Sequence, residues 1–452
     1  MNAPVSKSIS KQSLVGDDAA GVSVEPLLPV GLPCTGVQFA RGMRAGRWVF
    51  ASGQSATDHV NGLAPEVVQS EHPLNGEPPC KREARRIFHN VSEVLAAGGV
   101  GFSDVVRIDQ YYTTARAVDP YHEVRREVFD GRIPPSTSNL HQGFVLTGQS
   151  IEVQVMAAIR GEAFRAEHQT FTPNYKIHHS SGYSPALRAG DFCFVPGQTA
   201  EARKEEEGPI DPEARRPLGL WKGTAIKLET DFIIRRKMKP SLEAAGASLE
   251  TVVKAQVYLR DRDDIPAFNE AWLSHFPTPP ATTIIPTATP GFIMPDSRIE
   301  INTIALLSGG KTSKDTLQCR NPPLFEGWVS AVRAGDLLFL SGLMATEHGR
   351  LIEDARVDPR QPYFGIPVKS ELRSIVRQAQ AICRAAGSTL RNCVRIQQFH
   401  TNLADLPAAI EVWDEVLRGA PLPLSAIEVP WLPVPGGRVL VDLWVYAPEL
   451  GS

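Results

Sequence analysis

One set of short segments occurs three times along this chain, and it constrains the fold more than any other feature. A strand-like segment ends in glycine at positions 53, 197 and 342, so its copies lie 144 and 145 residues apart. An amphipathic segment ends in Ala-Ala-Gly at Gly98, Gly246 and Gly387, and glycine there commonly ends a helix. Repeats at a fixed period indicate tandem copies of one structural unit.

Further landmarks follow in the same order in each copy. A segment rich in β-branched and aromatic residues comes next and favours a strand. A second amphipathic helix follows it. The copy closes with a strand that carries one acidic residue among apolar ones, at Glu152, Glu300 or Asp442. Each copy is therefore predicted to be an α+β unit with its helices on one face of a sheet.

The chain length agrees with three units. It has 452 residues, against a usual domain length of about 150. The predicted domains span 25–162, 172–308 and 316–450. Segment 1–24 is predicted to be a disordered tail. Boundaries between units are predicted near 161–172 and 308–315, and the second of these is predicted to be a flexible polar linker.

The composition narrows the choice of partner. A net charge of −3 gives no basic surface of the kind that binds nucleic acid. No apolar run approaches the roughly 18 residues of a membrane span, and the N-terminus lacks the apolar core of a signal peptide. We therefore predict a small-molecule substrate, with neither nucleic acid nor a membrane as partner.

The sequence lacks common cofactor-binding and metal-binding motifs, and its cysteines indicate the cellular location. There is no glycine-rich dinucleotide or phosphate loop, no His-Glu-x-x-His and no Gly-x-Ser-x-Gly, so we predict no cofactor and no metal. The six cysteines show no metal-binding spacing, and we expect reduced thiols in a cytoplasmic protein. They are Cys34, Cys80, Cys193, Cys319, Cys383 and Cys393.

The three copies resemble the RidA/YjgF family. The matching features are the Ser-Gly-Gln strand, the helix ending in Ala-Ala-Gly, the proline-containing stretch after the second helix and the acidic residue of the last strand. The resemblance implies a chorismate-mutase-like fold whose members form homotrimers. For this chain it implies an intramolecular pseudo-trimer with a central barrel of sheets and outer helices, acting alone or as a dimer.

The resemblance also implies catalytic residues at clefts between units. The acids would be Glu152, Glu300 and Asp442, each helping to position a water that attacks an imine carbon. The family grips the substrate carboxylate with an arginine in a Pro-Ala-Arg stretch. Thr137, Thr282 and Leu424 stand where that arginine is expected. The acids are alternatively solvent-facing strand residues.

Without that arginine, the motif does not identify the group that binds the substrate. A charge-assisted contact is worth about 1.5–3 kcal/mol, so either the substrate lacks a carboxylate or another cation holds it. Arg132, Arg298 and Arg438 are the candidates for that role. Alternatively, they pair with nearby carboxylates at the surface.

Several other side chains are predicted to line the clefts. Tyr183 and Trp328 match an aromatic position of the family, and each could instead pack a turn. Asn269 matches a family asparagine that faces the cleft, and His122 stands in its place in the first unit. A lone histidine is also common as an ordinary surface or capping residue.

Three functions remain open from the sequence, of which the least favoured is a chaperone-like or purely structural partner protein. The first is a cofactor-independent hydrolase or deaminase acting on an enamine, imine or related C–N bond, with Glu152 and Glu300 as the favoured acids. The second is a non-catalytic small-molecule-binding or regulatory protein that kept the clefts. The loss of three arginines favours the second, and retention of the acids favours the first.

Overall fold

The computed structural model describes most of the chain. The described residues are 23–32, 36–68, 76–160, 169–173, 181–220, 223–294, 296–319, 323–358, 360–361 and 364–448. Nearly all of the predicted tail, and Cys34, lie outside these ranges.

Unit 1 begins with short strands and continues through two long helices. A proline at the first position of α2 is suited to starting a helix, because its missing N–H would have no helical partner there. Its elements are β1 (Glu25–Leu27), β2 (Val30–Gly31), β3 (Gln38–Phe39), β4 (Gly42–Ala45), β5 (Trp48–Gln54), α1 (Pro65–Val68), α2 (Pro79–Ala97), β6 (Val105–Tyr112), α3 (Val118–Phe129), β7 (Ser136–Leu140), β8 (Gly143–Phe144) and β9 (Ile151–Ala158).

Unit 2 repeats this order, with a π-helical segment, Ile233–Met238, inside its first long helix. Its elements are β10 (Gln169–Phe171), β11 (Ala186–Ala189), β12 (Phe192–Gln198), α4 (Gly223–Phe232), α5 (Lys239–Ala244), β13 (Ala247–Leu259), α6 (Ile265–His275), β14 (Ala281–Pro286) and β15 (Ile299–Leu307). Strand β10 lies inside the stretch 161–172, near which we predicted the boundary of units 1 and 2.

Unit 3 has the same order again. Its elements are β16 (Lys314–Leu317), β17 (Ala331–Ala334), β18 (Leu337–Leu340), β19 (Thr346–Glu347), β20 (Arg350–Leu351), α7 (Pro367–Ala385), β21 (Cys393–His400), α8 (Leu406–Leu417), β22 (Leu424–Glu428) and β23 (Val439–Tyr446).

Each unit forms one sheet with the same strand order. In unit 1 the order is β1-β4-β5-β9-β6-β7, and units 2 and 3 repeat it as β10-β11-β12-β15-β13-β14 and β16-β17-β18-β23-β21-β22. The last two strands of each sheet are parallel, and a helix makes the crossover that parallel strands require. The three units are therefore tandem α+β domains, as the sequence predicts.

The described residues do not form a closed hydrogen-bonded barrel, although β8 of unit 1 pairs antiparallel with β22 and adds a seventh strand to the sheet of unit 3. The ladders lose register next to the repeated glycines, between Ala51 and Gln54 in β5 and between Val195 and Gln198 in β12. These irregularities interrupt the hairpin strands where a neighbouring unit approaches. Strand β7 contacts β12, β14 contacts β18, and β22 contacts β5, so every unit contacts both of the others.

An apolar core lies where the three sheets meet. Trp48 packs edge-on against Phe192 with ring centroids 5.0 Å apart, and Phe339 packs in the same way against Trp444 at 5.1 Å. The guanidinium of Arg395 lies 4.4 Å from the Trp444 ring centroid. Aromatic residues from all three units thus cover the sheet faces that the helices leave open.

Buried polar side chains also join the units. Arg107 Nη2 of unit 1 donates to Gln256 Oε1 of unit 2 at 2.5 Å, and Gln256 Nε2 donates to Gln397 Oε1 of unit 3 at 3.1 Å. Arg395 Nη2 of unit 3 donates to Asp109 of unit 1 at 3.2 Å. Because buried polar groups need partners, these side chains depend on the presence of all three units.

A buried glutamate on the first long helix of each unit holds the start of the closing strand. Glu83 accepts a bond from Ile151 N at 2.9 Å, and Glu371 accepts one from Arg438 N at 2.9 Å. Glu229 accepts the corresponding bond from Arg298 N at 2.9 Å. The sequence repeat did not reveal these residues, which fix the closing strand to the helix.

Replacing Glu371 by alanine is expected to lower the free energy of unfolding by about 1–3 kcal/mol, because buried N–H groups of the closing strand lose their acceptor. Urea denaturation measures this. Glu411→Ala is the matched control, since Glu411 pairs with Lys369 on the surface, and surface substitutions usually change stability by less than about 0.5 kcal/mol. Equal losses in both variants would contradict the role of Glu371.

Candidate functional site

The acid of each closing strand lies at a boundary between two units. A Cβ on Gly53 would lie 2.8 Å from Glu152 Oε1 and 3.0 Å from Ser425 Cβ of unit 3. A Cβ on Gly197 would overlap Glu300 Oε1 and lie 3.0 Å from Thr137 Cγ2 of unit 1. The repeated glycine is thus required by close approach, since any side chain would displace the acid.

The register of the parallel strands identifies the residue that faces each acid. Thr137 lies opposite Asp109 on β6, Thr283 lies opposite Gln256 on β13, and Ser425 lies opposite Gln397 on β21. In unit 1 this is the predicted residue. In units 2 and 3 it is one residue later than predicted. Thr137 and Ser425 each stand two residues after a proline, whereas Thr283 stands three residues after Pro280.

The consequence for Thr282 and Leu424 is a change of face. Side chains alternate along a strand, so neither residue shares the strand face of the residue that lies opposite the acid. The Thr282 hydroxyl donates to the carbonyl of Pro280 at 2.8 Å. Leu424 lines a cavity beside the acid of unit 1.

The boundary of units 1 and 2 contains a polar cavity of about 410 Å³, here called the 1–2 cleft. Helix α3 and strand β7 supply one wall, and unit 2 supplies the other. The side chains used below are His122, Arg125, Ser136, Tyr183 and Glu300. Two predicted cleft residues, His122 and Tyr183, therefore meet one predicted acid.

Arg125 is the cation of the 1–2 cleft. Its side chain is buried. Nη1 donates to Ser136 Oγ at 2.9 Å and Nη2 donates to the carbonyl of Ser181 at 2.5 Å, whereas Nε has no hydrogen-bond partner. Burial lowers the pKa of Arg125, and no carboxylate is among the groups that offset this. A buried cation without a counter-ion is costly, so Arg125 would stabilise an anionic ligand, whereas the carboxyl side chains of Asp119 and Glu201 in the same lining would oppose one.

Glu300 is the acid of the 1–2 cleft. Burial raises its pKa to about 8, a backbone bond from Ser138 opposes the rise, and the charge of Asp109 adds to it. Burial also lowers the pKa of His122 to about 2, with further contributions from Arg125 and Arg126. At neutral pH the cleft thus holds a protonated carboxyl at Glu300, a neutral imidazole and a cation, and the carboxyl side chains of Asp119 and Glu201 also belong to its lining.

Replacing Glu300 by glutamine is expected to flatten the pH dependence of stability. The folded-state pKa is above the ordinary value of 4.5, so this contribution is fully present below pH 4.5 and is lost as the pH rises through about 8. At about 1.4 kcal/mol per unit of pKa shift, the native chain should lose roughly a few kcal/mol relative to the variant between pH 5 and 9. Urea denaturation across this range measures the difference, and parallel curves would contradict it. Glu270→Gln, at an exposed carboxyl, is the control.

The boundary of units 3 and 1 contains a cavity of about 240 Å³, here called the 3–1 cleft. Its acid is Glu152, whose Oε1 accepts a bond from the Ser425 hydroxyl at 2.5 Å. Burial raises the pKa of Glu152 to about 7. Ile410 occupies the helix position that His122 has in the 1–2 cleft, so this wall is apolar.

At the boundary of units 2 and 3 the acid is paired with a lysine. Lys254 Nζ lies 2.6 Å from Asp442 Oδ1 and also donates to Thr283 Oγ1 at 2.9 Å. Burial alone raises the pKa of Asp442, but Lys254 and Arg395 hold it below its ordinary value. The acid is therefore an ion-pair partner.

The predicted rim residues of the 2–3 boundary also bond to each other. Trp328 Nε1 of unit 3 donates to Asn269 Oδ1 of unit 2 at 2.6 Å. Both side chains therefore have a hydrogen-bond partner within the protein.

The arginines predicted as substitute anchors are engaged or exposed. Arg298 Nε lies 2.7 Å from Asp264, and Arg438 Nη1 lies 3.1 Å from Asp405. Arg132 is exposed. Local pairing, the alternative that we kept open, thus describes Arg298 and Arg438.

The sequence analysis missed Arg125, although the repeat contains a signal for it. Arg125 is the eighth residue of α3, and the eighth residues of α6 and α8 are Trp272 and Trp413. An arginine at a helix position that is tryptophan in the other two units indicates that this position has a different role in unit 1.

Comparisons with known proteins agree with the repeat. A family model described as Endoribonuclease L-PSP matches the chain three times, at residues 33–159, 175–307 and 320–447. Among the described residues, no cluster of His, Cys, Asp and Glu could hold a metal ion. Within the same ranges, no helix has the length and apolar character needed to cross a bilayer.

Individual relatives match about one unit each. A RutC family protein of Pyrococcus abyssi is 42% identical over 94 residues, which are 21% of this chain and 63% of the relative. Another, of Pyrococcus horikoshii, is 36% identical over 124 residues, which are 27% of this chain and 85% of the relative. The 2-iminobutanoate/2-iminopropanoate deaminase of Dermatophagoides farinae is 27% identical over 129 residues, covering 28% and 85%. A solved chorismatase structure covers 76% of this chain and 93% of its own, with a TM-score of 0.45 and 12% identity.

Proposed function

The chain belongs to the Endoribonuclease L-PSP (RidA/YjgF) family as three tandem copies, and on that basis we propose that it is a cofactor-independent deaminase of small 2-imino acids or their enamines. The observation that carries the proposal is the buried pairing of a cation, Arg125, with a protonated acid, Glu300, in one cavity. The deaminase relative from Dermatophagoides farinae supports the same reaction class.

Arg125 is the proposed anchor for the substrate carboxylate. It replaces the arginine that the family carries on the strand where Thr137 stands. Its guanidinium has a free Nε and no carboxylate among the groups that oppose its burial. A bound carboxylate would supply the missing charge and form charge-assisted hydrogen bonds.

Glu300 is the proposed proton carrier. Its neutral carboxyl donates a proton to the imine nitrogen, which makes the adjacent carbon more electrophilic. The resulting carboxylate takes a proton from the water that forms the new C–O bond. It returns that proton to the nitrogen and takes the hydroxyl proton as the C–N bond breaks, releasing ammonia and the 2-oxo acid. Glu300 ends protonated, as it began.

The three units are proposed to form a pseudo-threefold ring with one catalytic cleft. Each unit contacts both others, and the central polar network links all three. At the 2–3 boundary the acid is paired with Lys254, and the 3–1 cleft has no cation in its described lining. We also propose that the protein is cytoplasmic and acts as a single chain.

Replacing Arg125 by methionine is expected to raise KM for 2-iminobutanoate about 10- to 100-fold, because a charge-assisted contact is worth about 1.5–3 kcal/mol. The assay measures ammonia release above the spontaneous rate, with the imine generated by an amino-acid oxidase. An imine that lacks the carboxylate should be insensitive to the change. Arg126→Met, at the next and exposed position of α3, is the control.

An unchanged KM in Arg125→Met would overturn the anchor. Absence of ammonia release by the native chain, together with saturable binding of the 2-oxo acid, would replace the enzyme by the second function, a small-molecule-binding protein. Melting curves of each variant establish that it is folded before its kinetics are compared.

A further inference from the structure

The 3–1 cleft differs chemically from the proposed catalytic cleft. Its walls are mainly apolar, and no Arg or Lys occurs among the described residues that line it. The apolar side chains come from both units: Leu32, Phe39, Leu146, Leu406, Ile410 and Leu424. A carboxylate ligand would lose its hydration here without gaining a counter-ion, which is strongly unfavourable.

The 3–1 cleft nevertheless has one polar point. Glu152 is 4% exposed, and its Oε1 receives the Ser425 hydroxyl at 2.5 Å. Burial raises the pKa of this carboxyl to about 7, although Ser425, Gln154 and Arg395 oppose the rise, so below pH 7 it is mostly protonated and has one O–H to donate. The only other titratable side chain in the described lining is His59, whose pKa burial lowers to about 4, helped by Arg41 and Arg86. The described lining is thus mostly uncharged at pH values between these two pKa values.

The volume of the 3–1 cleft sets the size of a ligand. An apolar cavity of about 150 Å³ accommodates benzene, and this cleft provides about 240 Å³. A one-ring molecule with a short polar substituent would fit. Val60 and Val145 at its edge are exposed by 73% and 51%, so the entrance is apolar as well.

We propose that the 3–1 cleft is a second binding site, which takes an uncharged, mainly apolar small molecule whose carbonyl oxygen accepts a hydrogen bond from Glu152. The site is separate from the 1–2 cleft, and the proposal does not depend on deaminase activity. Fusion of the units permits this difference, because Ile410 and His122 occupy the same helix position in separate units and can change independently.

Benzamide is a suitable probe, since it is neutral and combines one ring with a carbonyl group. Calorimetric titration of the full-length native chain should show saturable binding. Ile410→Asp should weaken it at least tenfold by placing a charge on the apolar wall, whereas Ile410→Leu should change it less than threefold. His122→Ala, in the other cleft, should leave benzamide binding unchanged.

A second measurement requires no disruptive variant. With methyl-labelled native protein, intermolecular NOEs should connect the benzamide ring to the methyl groups of Ile410 and Leu424. No saturable benzamide binding, NOEs only to residues of the 1–2 cleft, or loss of binding in His122→Ala would each overturn the proposal. Benzamide binding to an enzymatically inactive chain would support this site while the proposed deaminase function fails.

Discussion

Replacing Glu300 by glutamine is expected to lower kcat/KM for 2-iminobutanoate hydrolysis by about 10²–10⁴-fold, the usual contribution of a general acid–base group. Glutamine keeps the size and the hydrogen-bonding oxygen but cannot exchange a proton. Binding of the product 2-oxo acid should remain within a few-fold, since Arg125 is untouched. Ammonia release in steady-state kinetics measures the first quantity, and calorimetry measures the second.

The pH profile provides a further test of Glu300. Because the carboxyl must be protonated when the imine arrives, kcat/KM should fall as the pH rises through about 8, the pKa that burial gives Glu300. The matched control is Glu152→Gln, which changes the equivalent acid in the 3–1 cleft and should alter the rate less than threefold. Equal losses in the two variants would contradict the assignment of a single catalytic cleft.

Replacing Lys254 by methionine is expected to lower the free energy of unfolding by about 3–5 kcal/mol. The change leaves Asp442 buried without its cation, and breaking a buried pair on one side is strongly destabilising. Lys254 Nζ also donates to the carbonyl of Leu340 at 2.8 Å in unit 3, so the loss falls on the boundary of units 2 and 3. Urea denaturation followed by fluorescence measures it.

The double variant Lys254→Met/Asp442→Leu tests whether the loss of stability comes from the unpaired charge of Asp442 rather than from altered packing. Replacing a buried ion pair by apolar residues of similar volume is often neutral or stabilising, so the double variant should recover most of the lost stability. It should also retain ammonia release, because the 1–2 cleft is not touched. A single variant as stable as the native chain would mean that the boundary does not depend on this ion pair.

The architecture of one unit follows from the sequence because its signals are local. The repeated Gly53, Gly197 and Gly342 mark strands, and alternation within the closing strands places Glu152 and Glu300 on a face opposite their apolar neighbours. The family resemblance further implied that these acids lie at the boundaries between units. These predictions needed only strand periodicity and spacing.

Which side chains face the acids at the boundaries depends on the register between strands, and the sequence pattern does not determine that register. A shift of one residue exchanges the faces of a strand, and this shift replaced Thr282 and Leu424 by Thr283 and Ser425. Arg125 escaped notice because helix α3 is amphipathic and an arginine on it resembles a surface residue. Only burial in the assembled structure distinguishes it from the exposed Arg126.

Separate clefts with separate chemistry are the central feature of this chain. Isothermal titration with 2-oxobutanoate, the unreactive product, tests it directly by counting sites. We predict one equivalent bound per chain, with an affinity about 10- to 100-fold weaker in Arg125→Met. Three equivalents per chain, or an unchanged affinity in Arg125→Met, would contradict the account.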